Sequence, residues 1–341
     1  MSPRPTRQPE DHKIPRRDFL ASVIAAPIVA PFVRTSLPRA REQDLLPVRV
    51  STLNHVSFGC ADLPRTVAWY EKVLGIPRYA FQDYLGGQTV LRVGIDPPAY
   101  MALSQRDPES LSDPETRRPH FCWGIPDFNV HRILAALAEM RAPAQSVLRE
   151  GMTVNGVNFD GPDGAPLQFN PVIACGGLGF LGEVCDTSAV AVRRPGDPLP
   201  VQVRTLNHIK YYVTNLQRSL EWYQKLTDMR VVTYQEPAGG PRTTGHEGSL
   251  LPVLRVGSGP QHLVLVEGSG PESFRLHVGF GVEGFDPDRV MDALDQHRVS
   301  YQVRMREGVT PEILVDAPDG IRIQLQDVTY CGGGGRLGNV C

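Results

Sequence analysis

The chain has 341 residues, with 35 Lys plus Arg against 37 Asp plus Glu, a formal net charge of -2, and 41% hydrophobic residues. That length suggests about two domains of roughly 150 residues each, and the composition argues against wholesale disorder, a fibrous repeat or a coiled coil. With no basic stripe to neutralise phosphates, no nucleic acid partner is expected and a small molecule is the expected ligand; 33 Gly and 31 Pro fit many short strands joined by tight turns.

The chain opens on a polar leader holding Arg7, His12 and Lys13, followed by Arg16-Arg17-Asp18-Phe19-Leu20 and the apolar stretch Ala21 to Val33. That stretch is interrupted by Pro27 and Pro31, and at about 13 residues it is shorter than the roughly 20 needed to span a bilayer. It resembles a bacterial twin-arginine (Tat) signal. The resemblance implies handling by the Tat translocase and a periplasmic or secreted protein, with membrane retention by an uncleaved signal as the alternative. Residues 1–45 are set aside as signal and linker.

The remainder is one unit written twice. Leu46-Pro-Val-Arg-Val-Ser-Thr-Leu-Asn-His55 recurs as Leu199-Pro-Val-Gln-Val-Arg-Thr-Leu-Asn-His208, identical at eight of ten positions. Trp69-Tyr70 then matches Trp222-Tyr223, His120 matches His277, Pro162-Asp163-Gly164 matches Pro318-Asp319-Gly320, and Cys175-Gly-Gly matches Cys331-Gly-Gly. This sets domains at 46–185 and 199–341, joined by a linker at 186–198. In chain order, a strand holding His55 precedes a helix over Leu63–Leu74, then strands near 89–93 and 100–103. The pattern restarts with a strand over His120–Ile125, a helix over Val130–Met140, and strands near 154–159 and 166–169. The second unit repeats it, with helices near Leu216–Leu226 and Pro287–His297.

Asn-His opening a strand, Trp-Tyr in the next helix and Pro-Asp-Gly before the last strand resemble the vicinal oxygen chelate (VOC) superfamily, which includes glyoxalases, epimerases, bleomycin-resistance proteins and type I extradiol dioxygenases. The resemblance covers essentially everything after residue 46. It implies an α+β fold of two tandem VOC domains, each of two paired βαβββ modules curling around a cavity, and one divalent metal, Fe(II) first with Zn, Ni or Mn as alternatives.

Strand side chains change face with period two. His208 therefore shares a face with Lys210 and Tyr212, His277 with Gly279 and Gly281, and Gln324 with Arg322 and Gln326, while Ile209, Val278 and Ile323 face the helices. The candidate metal set is His208, His277 and Gln324, with His55, His120 and Gln168 as a weaker second set. The superfamily places a glutamate at the last position, so Gln168 and Gln324 are departures: an amide supplies an oxygen but no charge, weakening the hold on a hard dication. The null alternative is a pair of hydrogen-bonded cavity histidines.

His262, aligned with Ala99 of the first unit, falls on the same face as Val264 and Val266. It is the candidate catalytic acid or base, since a histidine stands on the strand before the second ligand in extradiol enzymes. Against that family, Glu312-Ile-Leu-Val315 lacks the expected Tyr and 301–310 lacks a His. The expected function is thus an exported, metal-dependent enzyme acting on a small substrate with adjacent oxygens. Extradiol-like cleavage of an aromatic diol comes first; a glyoxalase- or epimerase-like lyase or isomerase, or a metal-free binding protein, is the alternative. His246, in the glycine-rich stretch 239–248, is a candidate cavity cover or an ordinary loop residue. In an exported protein Cys175 with Cys185 and Cys331 with Cys341 are simplest as two local disulfides, leaving Cys60 and Cys122 free and buried.

Overall fold

The computed structural model describes residues 45–82, 87–112, 119–148, 154–235, 250–268, 276–318 and 320–341. The twin-arginine stretch, His246 and Asp319 lie outside the described residues. Among those described, no helix is long and apolar enough to cross a membrane.

Strand, helix and three strands occur four times. The first half contains β1 (Thr52–Cys60), α1 (Leu63–Leu74), β2 (Arg78–Gln82), β3 (Gln88–Ile95) and β4 (Pro98–Gln105). It continues with β5 (His120–Ile125), α2 (Val130–Glu139), β6 (Ala144–Leu148), β7 (Val154–Asp160) and β8 (Pro166–Pro171). The second half repeats the series as β9 (Val203–Val213), α3 (Leu216–Leu226), β10 (Arg230–Gln235), β11 (Leu251–Arg255) and β12 (His262–Glu267). It closes with β13 (Leu276–Val282), α4 (Pro287–Gln296), β14 (Tyr301–Arg306), β15 (Thr310–Asp316) and β16 (Arg322–Asp327). Each helix starts on a capping side chain that accepts a main-chain N–H, namely Asp62, Asn129, Asn215 and Asp286, each worth about 1 kcal/mol.

The sheets have strand orders β2-β3-β4-β1-β5-β8-β7-β6 and β10-β11-β12-β9-β13-β16-β15-β14. In both, the two strands that open the modules lie antiparallel at the centre, and the last strand of the second module runs parallel to its first. This topology brings the opening histidines together and lays Gln168 and Gln324 one strand away. The alternation expected from sequence holds: Ile209, Tyr211, Val213, Val278, Phe280, Val282, Ile323 and Leu325 join one large core under the helices. The opposite faces carry only small apolar groups, Val90 with Tyr100 and Ala102, and Leu251 with Val253 and Val264.

The sheets curl. Strands β12 and β14 are five places apart, about 24 Å in a flat sheet at ~4.8 Å spacing. Yet the Arg306 guanidinium of β14 lies 5.9 Å from the Tyr330 ring centre, itself 5.6 Å from the ring of His262 on β12.

The halves share their core. Trp222 and Tyr223 of α3 pack on Phe159 and Trp123 of the first half, at 6.4 and 5.9 Å between ring centres, so the Trp-Tyr motif is a packing element. Gln261, next to His262, bridges the halves: its Oε1 accepts from Leu53 N (2.9 Å) and its Nε2 donates to Leu206 O (2.6 Å). Cys175–Cys185 and Cys331–Cys341 are disulfides with Cα separations of 6.3 Å, and Cys60 and Cys122 are buried thiols outside any disulfide.

Candidate functional site

Pairing slips by one residue between Leu53 and His55 and between Leu206 and His208. These bulges lie at Asn54 and Asn207, each fully buried beside its histidine. The Nδ2 of Asn207 donates to Tyr330 O at 2.8 Å, and that of Asn54 to Ala174 O at 2.6 Å. Each amide oxygen must then face its histidine, where it accepts Nδ1–H at 3.0 Å. The tautomer follows: Nδ1 carries the proton and Nε2 the lone pair.

In the first half, His55 Nε2 lies 3.0 Å from His120 Nε2, and Gln168 hydrogen-bonds both imidazoles. His55 also stacks on Tyr100 at 4.4 Å. Burial lowers the pKa of His120 to about 4, against the lift from Gln168, and burial followed by the charge of His120 lowers that of His55. Both rings are therefore neutral at pH 7. Two nitrogens bound to one ion at ~2.1 Å would stand ~3.0 Å apart at a right angle and ~3.4 Å apart at the tetrahedral angle of zinc, and a neutral three-ligand set is sufficient for zinc in enzymes with three histidines. This set fits a divalent ion.

In the second half the same scaffold carries charge. The rings of His208 and His277 lie 5.2 Å apart, Gln324 is on the strand paired with that of His277, and His262 stacks on His208 at 4.7 Å and 14°. The three expected ligand residues and the expected base thus share one interior. Strand register aligns His262 with His208 as it aligns Tyr100 with His55, so the counterpart of His262 is Tyr100, not Ala99. His262 Nδ1 donates to Pro260 O at 2.9 Å, leaving a bare Nε2 that has no hydrogen-bond partner among the described residues. The same holds for Nε2 of His277, Nε2 of Gln324 and Oε1 of Gln326. Burial, against the Pro260 bond, lowers the His262 pKa to about 4.

Around them stand Lys210, directly across from His277, and Arg322 on its other side. Arg304 and Arg306 hold Glu312, which is fully buried and also accepts from Tyr330 OH at 2.8 Å. Burial pushes the Glu312 carboxyl up, but Arg306 and Arg304, with their hydrogen bonds and Tyr330, outweigh it and hold the pKa below the usual value. The pKa of His277 is lowered by burial and then by Lys210, Arg304 and Arg322. A dication on His208, His277 and Gln324 would meet no anionic ligand and several cations, while the buried carboxylate is already saturated. This set does not fit a divalent metal. Among the described residues no group of three His, Cys, Asp or Glu is arranged to hold one.

The tail completes the site. Gly332 has φ 81°, and a Cβ there would stand 3.0 Å from His262 Nε2 and 2.7 Å from Gln235 Nε2; only glycine lets this backbone lie against the imidazole. Sequence reasoning placed Lys210 on the right face without a role, read Glu312 only as a missing Tyr, and missed Tyr330 and the two asparagines. One signal was present: Tyr330 occupies the place of Ala174, before the matching Cys.

Residues 205–325, within the second half, match the family model described as Glyoxalase/Bleomycin resistance protein/Dioxygenase superfamily, and the described residues of the first half form a sheet of the same strand order. Among curated proteins none matches the chain. Among solved structures it is similar to the 2,3-dioxygenase LapB from Pseudomonas sp. KL28, at 14% identity and TM-score 0.58, over 82% of this chain and 92% of that one. It is similar also to homoprotocatechuate 2,3-dioxygenase from Arthrobacter globiformis, at 16% identity and TM-score 0.54, over 82% and 80%. A third is BphC, a halotolerant catechol dioxygenase, at 10% identity and TM-score 0.58, over 81% and 86%. At these identities the likeness is one of fold.

Proposed function

We propose that the second half is a proton-transfer site of the glyoxalase or epimerase kind. The observation that carries this is the buried, bare Nε2 of His262, fixed by Pro260 and facing an interior with unpartnered hydrogen-bond donors. His262 takes a proton from the carbon next to a carbonyl, the C–H electron pair moves into that carbonyl, and the oxygen so charged is held by the N–H of Gln324. Return of the proton from His262 to another position of the enolate gives the isomer. The tail over Gly332 excludes water from the transfer.

In this reading the first half holds a divalent ion, Zn or Fe(II) before Ni or Mn, on His55, His120 and Gln168. When bound, the ion supplies Lewis-acid polarisation to a ligand with adjacent oxygens. The chain's contribution is to present two neutral nitrogens, oriented by Asn54 and Gln168, with one proton to release from between them. The twin-arginine stretch is read as a Tat signal, and the two disulfides support an oxidising destination, periplasmic or secreted.

The second reading, ring cleavage of an aromatic diol, is favoured by the position of His262 and by the fold shared with the dioxygenases named above; it requires a redox metal on the charged set. One experiment separates the two: solvent deuterium incorporation into a panel of 2-oxo acids and α-hydroxyketones, with chelator-treated protein. Incorporation that persists after chelation and falls at least about 100-fold in His262→Gln supports proton transfer. No incorporation, with catechol-dependent oxygen uptake by iron-loaded protein, overturns it.

A further inference from the structure

We infer that the interior of the second half binds an anion, so that its small-molecule ligand carries a carboxylate which pairs with Lys210. Lys210 is 8% exposed, and Glu312, the carboxylate whose charge acts on it, is already held by Arg304 and Arg306. It lies on the inward face of β9, between Val264 of β12 and His277 of β13. A buried charge left in this way is costly unless a ligand completes it.

The surroundings reinforce it. Arg255 pairs across from His262 with its Nε buried and unpartnered. The side chain of Arg304 is 25% exposed and that of Arg322 41%, so cations lead from the rim toward Lys210. The facing carboxylates are already used, Glu312 by two arginines and Asp316 by Arg322. Burial, then Arg304 and Arg306, against the pull of Glu312, lower the Lys210 pKa to about 8, which leaves it charged at neutral pH. The first half differs at these positions: Ser57 occupies the place of Lys210, Gly156 that of Glu312 and Pro166 that of Arg322, while Arg92 stands in the place of Arg255 and donates to the main chain at Asp186 and Ala189. The lysine at this position is thus particular to the second half.

The inference rests on the proton-transfer reading for placing the ligand beside His262, but its test does not use catalysis. Benzoate and its neutral analogue benzamide are titrated by calorimetry into the full chain and into Lys210→Met and Lys210→Arg. The expected result is benzoate binding at least tenfold tighter than benzamide, weakened at least tenfold in Lys210→Met and restored in Lys210→Arg, with the melting temperature of ligand-free Lys210→Met raised because a buried charge is gone. Equal affinity for the two probes, or benzoate affinity unchanged in a folded Lys210→Met protein, overturns it. Benzoate binding without deuterium incorporation would leave the anion site standing and remove the proton-transfer reading; incorporation into neutral ketones without benzoate binding would do the reverse.

Discussion

Replacing Glu312 by glutamine keeps the volume and one hydrogen-bond acceptor but removes the negative charge that Arg304 and Arg306 share. Breaking a buried ion pair by neutralising one partner costs about 3–5 kcal/mol. The Arg304 side chain is 25% exposed, and water can take over part of its solvation, so the lower end, about 3 kcal/mol, is expected. At about 2.1 cal/mol/K of unfolding entropy per residue, that corresponds for a chain of this size to a fall in melting temperature of roughly 4–5 °C. The pH dependence carries its own sign. Because the folded pKa of Glu312 is depressed, its contribution is fully present above the unfolded value of about 4.3 and is lost as pH falls through the folded value. The wild-type and Glu312→Gln curves should therefore lie apart at pH 7 and converge in acid. Thermal melts across pH, with Arg306→Met added to complete a double-mutant cycle, measure this; the second change should recover part of the loss, since it removes the stranded cation. A melting temperature within about 1 °C of wild type at pH 7, or a gap unchanged down to pH 3, would refute the argument that Glu312 balances these arginines.

Two further outcomes follow from the same chemistry. Gln168→Glu should tighten zinc binding at least tenfold in competition with a chromogenic chelator, and His55→Ala should abolish it, whereas His208→Ala should leave zinc stoichiometry unchanged; loss of zinc in His208→Ala alone would move the ion to the other half. The buried histidines, His262 with a pKa of about 4 among them, bind protons more readily when unfolded. Stability should thus fall as pH drops from about 6.5 toward 4, above the window set by Glu312, and His262→Gln should shallow that slope in denaturant titrations.

The helices, the inward faces of the central strands and both disulfides could be read from sequence because each depends on local signals: period-two alternation, capping residues, and a duplication that supplies its own control. His208, His277 and Gln324 could be brought together on paper because each lies on a strand whose parity fixes its face. What could not be read depends on curvature. Arg304 and Arg306 sit on an edge strand with an exposed, irregular pattern, and only the curl of the sheet carries them to Glu312 and Tyr330. Tyr330 lies outside any regular element, where no period predicts direction. The one-residue misplacement opposite His262 arose where loops of unequal length intervene, and pairing with β1 and β9, rather than spacing, sets the register. The sign of the interior field, which separates a cation site from an anion site, is a sum over five strands and has no local signature.

The amide of Gln261 grips the main chain of both central strands, at Leu53 two residues before His55 and at Leu206 two residues before His208. The two interiors therefore hang from one peg. A shift of β12 when ligand settles against His262 must be transmitted to the stem of the other repeat, so occupancy of one chamber should be audible in the other. Duplication here has produced a pair of rooms with a common beam, and the tandem copy is a mechanical companion as well as a spare.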